Sequence, residues 1–444
     1  MKSSRAATYE HSSTPTHSET LAVPTRNESQ TSPHRKVKVA YTMSRFPKLT
    51  ETFILYEILA LEKMGVEVEL FPLLYEKQSV VHPEAQKMLP RAHFYPFLSP
   101  SVVFANLHFL WRKPGVYLRT WWEVLSGTFG SFNFFFGALG ILPKSVKMAY
   151  EMQKRGVQHL HAHFCTHPAV AALIIKRLTG ISYSFTAHGS DLHVERRMLD
   201  RKTAEAAFAV TISEFNKRVM IETCGPEAAE KIQVVHCGVD PGEFRPQPET
   251  AKPETLQLVC IASFEEVKGH RYLIEACKLL KDQGLDFRCH LVGYGPLKKQ
   301  VQARVRELGL EERVVVHRPM SRPEVVRLLS ESHIKVLPSV PTKRGKREGI
   351  PVVLMEAMAC GLPVVSSRLS GIPELVEDGR SGLLVEPRDV PGLAQALSRL
   401  AHSPDLRRRM GEAGRKKVEA EFNLLENAER LTRLFLSHLS CRPS

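Results

Sequence analysis

The segments Arg35-Lys-Val-Lys-Val-Ala-Tyr41, Phe53-Ile-Leu-Tyr-Glu-Ile-Leu-Ala-Leu-Glu62 and Val66-Glu-Val-Glu-Leu70 decide the fold class. The first reads as a strand. The second repeats its apolar residues at helical spacing, and Gly65 stops it. The third alternates as a strand. Strand, helix and strand at this spacing form a βαβ unit, which builds parallel sheets. Working outward, Val157–His163 and Ile181–Thr186 read as strands around a helix over Ala169–Leu178, and Val234–His236 closes this half.

Pro241 to Pro253 carries Pro241, Gly242, Pro246, Pro248 and Pro253 and reads as a linker. Beyond it a second series starts. Strands are expected at Leu256–Ala262, Phe287–Val292, Val314–His317, Ile334–Pro338, Pro363–Val365 and Leu383–Val385. Helices are expected at Arg271–Lys281, Leu297–Leu308, Pro323–Leu329 and Val352–Met358. Two α/β domains in tandem place a cleft between two sheets, with the carboxyl ends of the strands facing it. The expected division is a disordered tail (1–35), an N-terminal domain (36–245), a C-terminal domain (255–415) and a final helix (416–444) that returns toward the N-terminal domain.

At 444 residues, 43% apolar and 24% charged, the chain has the ordinary mix of a soluble globular protein. Disorder throughout, a collagen-like chain and a multi-span membrane protein are excluded. Lys and Arg number 61 against 47 Asp and Glu, a net +14 that asks for an anionic partner. The first 34 residues do not supply this excess: Lys2, Arg5 and Arg26 cancel Glu10, Glu19 and Glu28. They also lack the apolar run of a signal peptide. The eight cysteines include no C-x-x-C pair and read as reduced structural thiols in a cytosolic setting.

Val124–Pro143 carries no charge and holds Phe129, Phe132, Phe134, Phe135 and Phe136. From Trp111 to Arg155 seven basic residues face two acidic ones, and all three tryptophans (Trp111, Trp121, Trp122) fall in this stretch. Apolar surface, indoles and basic flanks describe a helix pair lying on an anionic membrane surface. A buried core hairpin is the competing reading.

The chemistry concentrates in Glu348-Gly-Ile-Pro-Val-Val-Leu-Met-Glu356-Ala-Met-Ala-Cys-Gly361. Its turn opens a helix, whose free N–H groups and positive dipole end suit a phosphate. Glu356 can accept hydrogen bonds from a ribose diol, and Glu348 from a sugar ring. With Gly371-Ile-Pro-Glu374, Asp378-Gly, Gly382-Leu-Leu-Val, Gly293-Tyr-Gly295-Pro and Val267-Lys268-Gly269-His, this stretch resembles the retaining nucleotide-sugar glycosyltransferases of family 4, which have two Rossmann-like domains (GT-B). Phe46-Pro47, Glu51-Thr-Phe-Ile, His161-Ala-His163-Phe and Ala187-His188-Gly189-Ser-Asp191 are most similar to bacterial colanic acid and exopolysaccharide enzymes.

The resemblance implies roles. His188 and Glu348 are the expected catalytic residues. Ser263, Lys268, Arg347, Gly349, Ile350, Pro351, Val352 and Glu356 are the expected donor-binding residues. Lys268 clamps the donor diphosphate. The family's usual Gly-Arg is replaced by Ala262-Ser263, and the basic run Lys343-Arg-Gly-Lys-Arg347 is placed to compensate. The implied activity is hexosyl transfer from a sugar nucleotide to a saccharide acceptor. The apolar and basic stretch suggests that the acceptor is lipid-linked and that the protein sits peripherally on the cytoplasmic face of the inner membrane. An inactive nucleotide-sugar-binding scaffold is the alternative, supported by Ser263.

No metal or other cofactor is expected. None of the eight aspartates forms an Asp-x-Asp pair, and none precedes Asp191. His159, His161 and His163 share one strand face, but no carboxylate or cysteine joins them in the sequence to make a metal centre. Asp191 reads either as a helix cap or as a residue orienting His188. No nucleic-acid reader motif is present.

Overall fold

In the computed structural model, residues 37–48, 51–77, 82–247 and 253–440 are described. The tail 1–35, linker residues 248–252 and Cys441 lie outside the described residues. The first sheet contains β1 (Lys38–Thr42), β2 (Glu67–Leu70), β3 (His159–His163), β4 (Ser182–Ala187), β5 (Phe208–Thr211) and β6 (Ile232–Val234). All pair in parallel, in the order β2-β1-β3-β4-β5-β6. Strand residues alternate between two cores. Ala40, Leu160 and Phe185 pack beneath the helices Phe132–Lys154 and His167–Thr179. Val39, Tyr41 and Phe208 face the helix Thr52–Lys63 and the last helix, Leu424–Ser440.

The second sheet contains β7 (Leu256–Ile261), β8 (Phe287–Val292), β9 (Val314–His317), β10 (Ile334–Leu337), β11 (Val364–Ser367) and β12 (Gly382–Val385). Its order is β9-β8-β7-β10-β11-β12, again parallel. This is the doubly wound order of dinucleotide-binding sheets, which reverses between β7 and β10. Ligands bind where the order reverses, outside the carboxyl ends of the strands. The second half has one core, in which Leu258, Leu291, Val336 and Val365 meet Leu273, Leu354 and Leu397.

The chain crosses between the halves at two adjacent points. Val239 N–H donates to the Phe422 carbonyl (3.0 Å), and Leu424 N–H donates to the Val239 carbonyl (3.0 Å). From there the last helix buries Ala428, Leu431 and Phe435 against the first half.

The uncharged run Val124–Pro143 is not one helix. It breaks at Gly130 (φ +87°) between the helices Pro114–Thr128 and Phe132–Lys154, and a third helix, Pro100–Arg112, packs on both. No described helix is long and apolar enough to cross a membrane. The basic flanks divide as well: Lys144 and Lys147 are buried, Lys144 donating to the Leu73 carbonyl (2.7 Å) and Lys147 to Glu151 (2.5 Å).

Candidate active site

The carboxyl ends of both sheets open onto one cavity of about 450 Å³, within the range of small-molecule sites. All ten residues singled out as candidate site residues line it. They arrive from four places. Ser263 and Lys268 follow β7, and Arg347, Glu348, Gly349, Ile350 and Pro351 follow β10. Val352 and Glu356 lie on the helix Val352–Ala359, and His188 follows β4 from the opposite half.

Local structure explains these placements. Lys268 ends a single 3₁₀ turn, and Gly269 (φ +70°) then turns the chain hard against β10. A Cβ at Gly269 would lie 1.8 Å from the Pro338 carbonyl oxygen, so only glycine lets this lysine sit at the reversal of strand order. Lys268 Nζ is 2.7 Å from Glu348 Oε1, pairing two of the sequence-derived residues directly. Ser263 Oγ donates to Glu265 Oε1 (3.1 Å), and Lys346 Nζ reaches Glu265 Oε2 (2.5 Å). Lys346 and Arg347 therefore line the cavity beside the serine, while Lys343 and Arg344 of the same run point to solvent. Burial pushes the Glu356 carboxyl up to about 7, opposed by Arg322 and Lys335.

His188 is buried, with its ring between Phe53 (4.6 Å between centroids) and Phe164 (4.9 Å). Asp191 fixes its backbone: its carboxylate accepts from the N–H groups of His188 (3.0 Å), Gly189 (2.7 Å) and Cys165 (2.9 Å). Asp191 thus shapes the loop that carries His188 rather than touching the imidazole. Across the cleft, a Cβ at Gly349 would sit 2.4 Å from the His188 carbonyl oxygen, so the halves meet there backbone to backbone.

One premise of the sequence reading is corrected. A carboxylate does join the histidine strand: Glu57 Oε1 lies 3.0 Å from His163 Nε2, close to His161 as well. The nitrogens of His161 meet the hydroxyls of Ser184 (2.7 Å) and Thr186 (2.9 Å). Those of His163 meet Glu57 and His188, so the cluster is knit as a hydrogen-bond network.

The family Glycosyltransferase Family 4 matches residues 50–243, and Glycosyl transferases group 1 matches residues 243–417. The putative colanic acid biosynthesis glycosyltransferase WcaL of Escherichia coli (strain K12) is 31% identical over 424 residues, covering 87% of this chain and 96% of the relative. The chain belongs to the family 4 glycosyltransferases. The amylovoran biosynthesis glycosyltransferase AmsK of Erwinia amylovora is also 31% identical, with 87% and 96% covered. The crystal structure of Anabaena HepE in complex with UDP shares the fold at TM-score 0.68 and 16% identity, covering 90% of this chain and all of that one.

Several residues in or behind the cavity carried no sequence signal. Glu57 occupies an ordinary position in an amphipathic helix. Arg322 opens a helix (Arg322–Glu331), yet its guanidinium stacks 3.7 Å above the Tyr56 ring of the other half and bears electrostatically on Glu356. Cys237 and Tyr294 also line the cavity. Only Tyr294 fell inside a motif, Gly293-Tyr-Gly295.

Proposed function

We propose that this glycosyltransferase moves a hexosyl group from a nucleoside-diphosphate sugar to a lipid-linked saccharide, with retention of configuration, in exopolysaccharide biosynthesis. The observation that carries this reading is the convergence of Lys268, Glu348 and Glu356 on the N-terminal end of the helix Val352–Ala359, facing His188 across the cleft. The donor diphosphate exchanges with Glu348 for Lys268. Lys268 then neutralises the leaving group, and Glu348 turns to the hydroxyls of the transferred sugar. Glu356 accepts from the ribose. Lys346, held beside Ser263 through Glu265, offsets the missing arginine. Departure and attack occur on the same face, and the leaving phosphate helps to deprotonate the acceptor. The UDP bound to HepE and the pathways of the WcaL and AmsK relatives support the donor class and the pathway. The chemistry needs no divalent ion, because cations and a helix dipole hold the diphosphate. The site faces the cytoplasm, at the inner membrane.

The test is a radiolabelled sugar-nucleotide panel offered to a membrane extract. Lys268→Ala and Glu356→Ala should each lower turnover at least about 100-fold, and EDTA should leave the parent activity intact. Full activity in both variants rules out the site. Ser263 in the arginine position favours a second reading, an inactive scaffold. Calorimetric binding of nucleoside diphosphates with no turnover of any donor would establish it.

A further inference from the structure

Behind His188 runs a buried chain of polar groups that the reaction as described does not use. Tyr41 Oη donates to Glu57 Oε1 (2.8 Å). The same carboxylate oxygen lies 3.0 Å from His163 Nε2, and His163 Nδ1 lies 3.0 Å from His188 Nε2. Tyr41 and His163 are fully buried and His188 nearly so. The elements that hold them are β1, β3, the helix Thr52–Lys63 and the loop after β4. The far nitrogen of His188, Nδ1, faces the Cys237 sulfur at 3.9 Å, and both residues line the cavity.

With both rings neutral, one proton arrangement satisfies every contact. An ionised carboxylate only accepts, so His163 must carry its proton on Nε2. Its Nδ1 is then bare and must accept from His188 Nε2–H. That leaves His188 Nδ1 without a proton, facing the Cys237 sulfur. Burial pushes His188 down to about 3, which keeps its ring neutral. Burial opposes ionisation of Glu57, but His163 and the Tyr41 hydroxyl outweigh it and hold the carboxyl below its ordinary range. A proton added to His163 would reverse the order: its Nδ1–H would donate to His188 Nε2 and place the His188 proton on Nδ1.

We propose that Glu57 and His163 are positioning residues that fix the tautomer of His188, so that its Nδ1 lone pair is offered to a hydroxyl of the bound sugar or acceptor. The logic is that of a carboxylate orienting an imidazole through its far nitrogen, lengthened here by one histidine. The consequence for catalysis rests on the proposed sugar-transfer reading of the cleft. The tautomer does not, and it can be read without substrate.

The experiment labels the full-length protein with ¹⁵N-histidine and records ring nitrogen shifts at pH 8, assigning His188 by its loss in His188→Gln. The expected result is a protonated Nε2 and a bare Nδ1. In Glu57→Gln, which keeps the shape and removes the obligate acceptor, the His188 shifts should move toward the other tautomer. His163→Gln serves as a second interruption, with circular dichroism checking the fold of each variant. In the donor assay Glu57→Gln should lower kcat about tenfold or more with donor KM little changed, and Glu57→Asp should recover part of it. A bare Nε2 in the parent protein, or His188 shifts unmoved in both variants, overturns the relay. The expected shifts with an unchanged kcat overturn its positioning role. Absence of turnover with every donor counts against the sugar-transfer reading and leaves the tautomer result standing.

Discussion

Glu356 turns its carboxyl into the cleft from the second turn of its helix, where burial raises it to about 7 from 4.5. Between these values the folded protein binds the proton more tightly than the unfolded chain, so stability falls as pH rises through this window. Glu356→Gln keeps the neutral shape and removes that cost. Water in the open cleft screens the effect, leaving on the order of 1–2 kcal/mol. Glu356→Gln should therefore melt roughly 1–2 °C above the parent at pH 8, and the gain should vanish at pH 4. Thermal melts at the two pH values test this; an equal gain at both would remove Glu356 as its source. A residue whose charged form costs stability but is required by the ligand is a common mark of a binding site.

At the scale of elements, the three helices Pro100–Arg112, Pro114–Thr128 and Phe132–Lys154 reverse the usual pattern. Their inner stripes bury Val102, Phe109, Val124, Phe134 and Ile141 in the ordinary way. Their outer stripes, where a surface helix carries polar residues, expose Phe104, Leu107, Trp111, Leu118, Trp122, Phe132 and Phe136. Trp111 is 84% exposed and Phe132 is 81% exposed, which no internal packing explains. Arg112 and Arg119 stand exposed beside them. The two readings of this stretch are thus divided by face: the inner stripe is core, and the outer stripe is the exposed apolar face on which the proposed docking to an anionic membrane rests. Replacing Trp111 and Trp122 together with Ser should weaken binding to vesicles containing anionic lipid at least tenfold, at about 1.5–3 kcal/mol per large apolar side chain. Raised salt should weaken the parent as well. Cosedimentation reads both, and unaltered binding by the double variant would remove these helices from the contact.

At the scale of the whole molecule, the site exists only where the halves meet. Glu374 of the second half accepts from the Glu214 (2.8 Å) and Phe215 (2.7 Å) N–H groups that open a helix in the first. Arg322 stacks on Tyr56, and Gly349 lies against the His188 backbone. A Cβ at Gly349 would also come within 2.7 Å of Ile212 Cδ1, a side-chain end that can rotate away, whereas the His188 carbonyl is backbone and cannot. Gly349→Ala should wedge the cleft open, lowering turnover about tenfold or more through misplacement alone. It should also enlarge the radius of gyration in small-angle scattering, with the melting temperature nearly unchanged. A variant as compact and active as the parent would show that this approach is dispensable. The last helix ties the halves from the far side, with Phe435 fully buried against the first half.

The sequence by itself determined the repeated βαβ units, because apolar periodicity and Gly or Pro stops are local properties of a few residues. It also marked Glu348 and Glu356, because their placement depends on a glycine turn and a helix start written within about ten residues of each, whereas Lys268 was marked only by the family resemblance. It passed over β5, four residues at Phe208–Thr211 whose strand character comes from pairing with β4 and β6. It gave no sign that Glu57, more than 100 residues from His163, would supply the carboxylate behind the histidine strand. Only the tertiary structure decided that contact, the Arg322–Tyr56 stack and the outward turn of Trp111 and Trp122. Each depends on which faces of distant elements are brought together, and side-chain spacing along the chain carries no information about that.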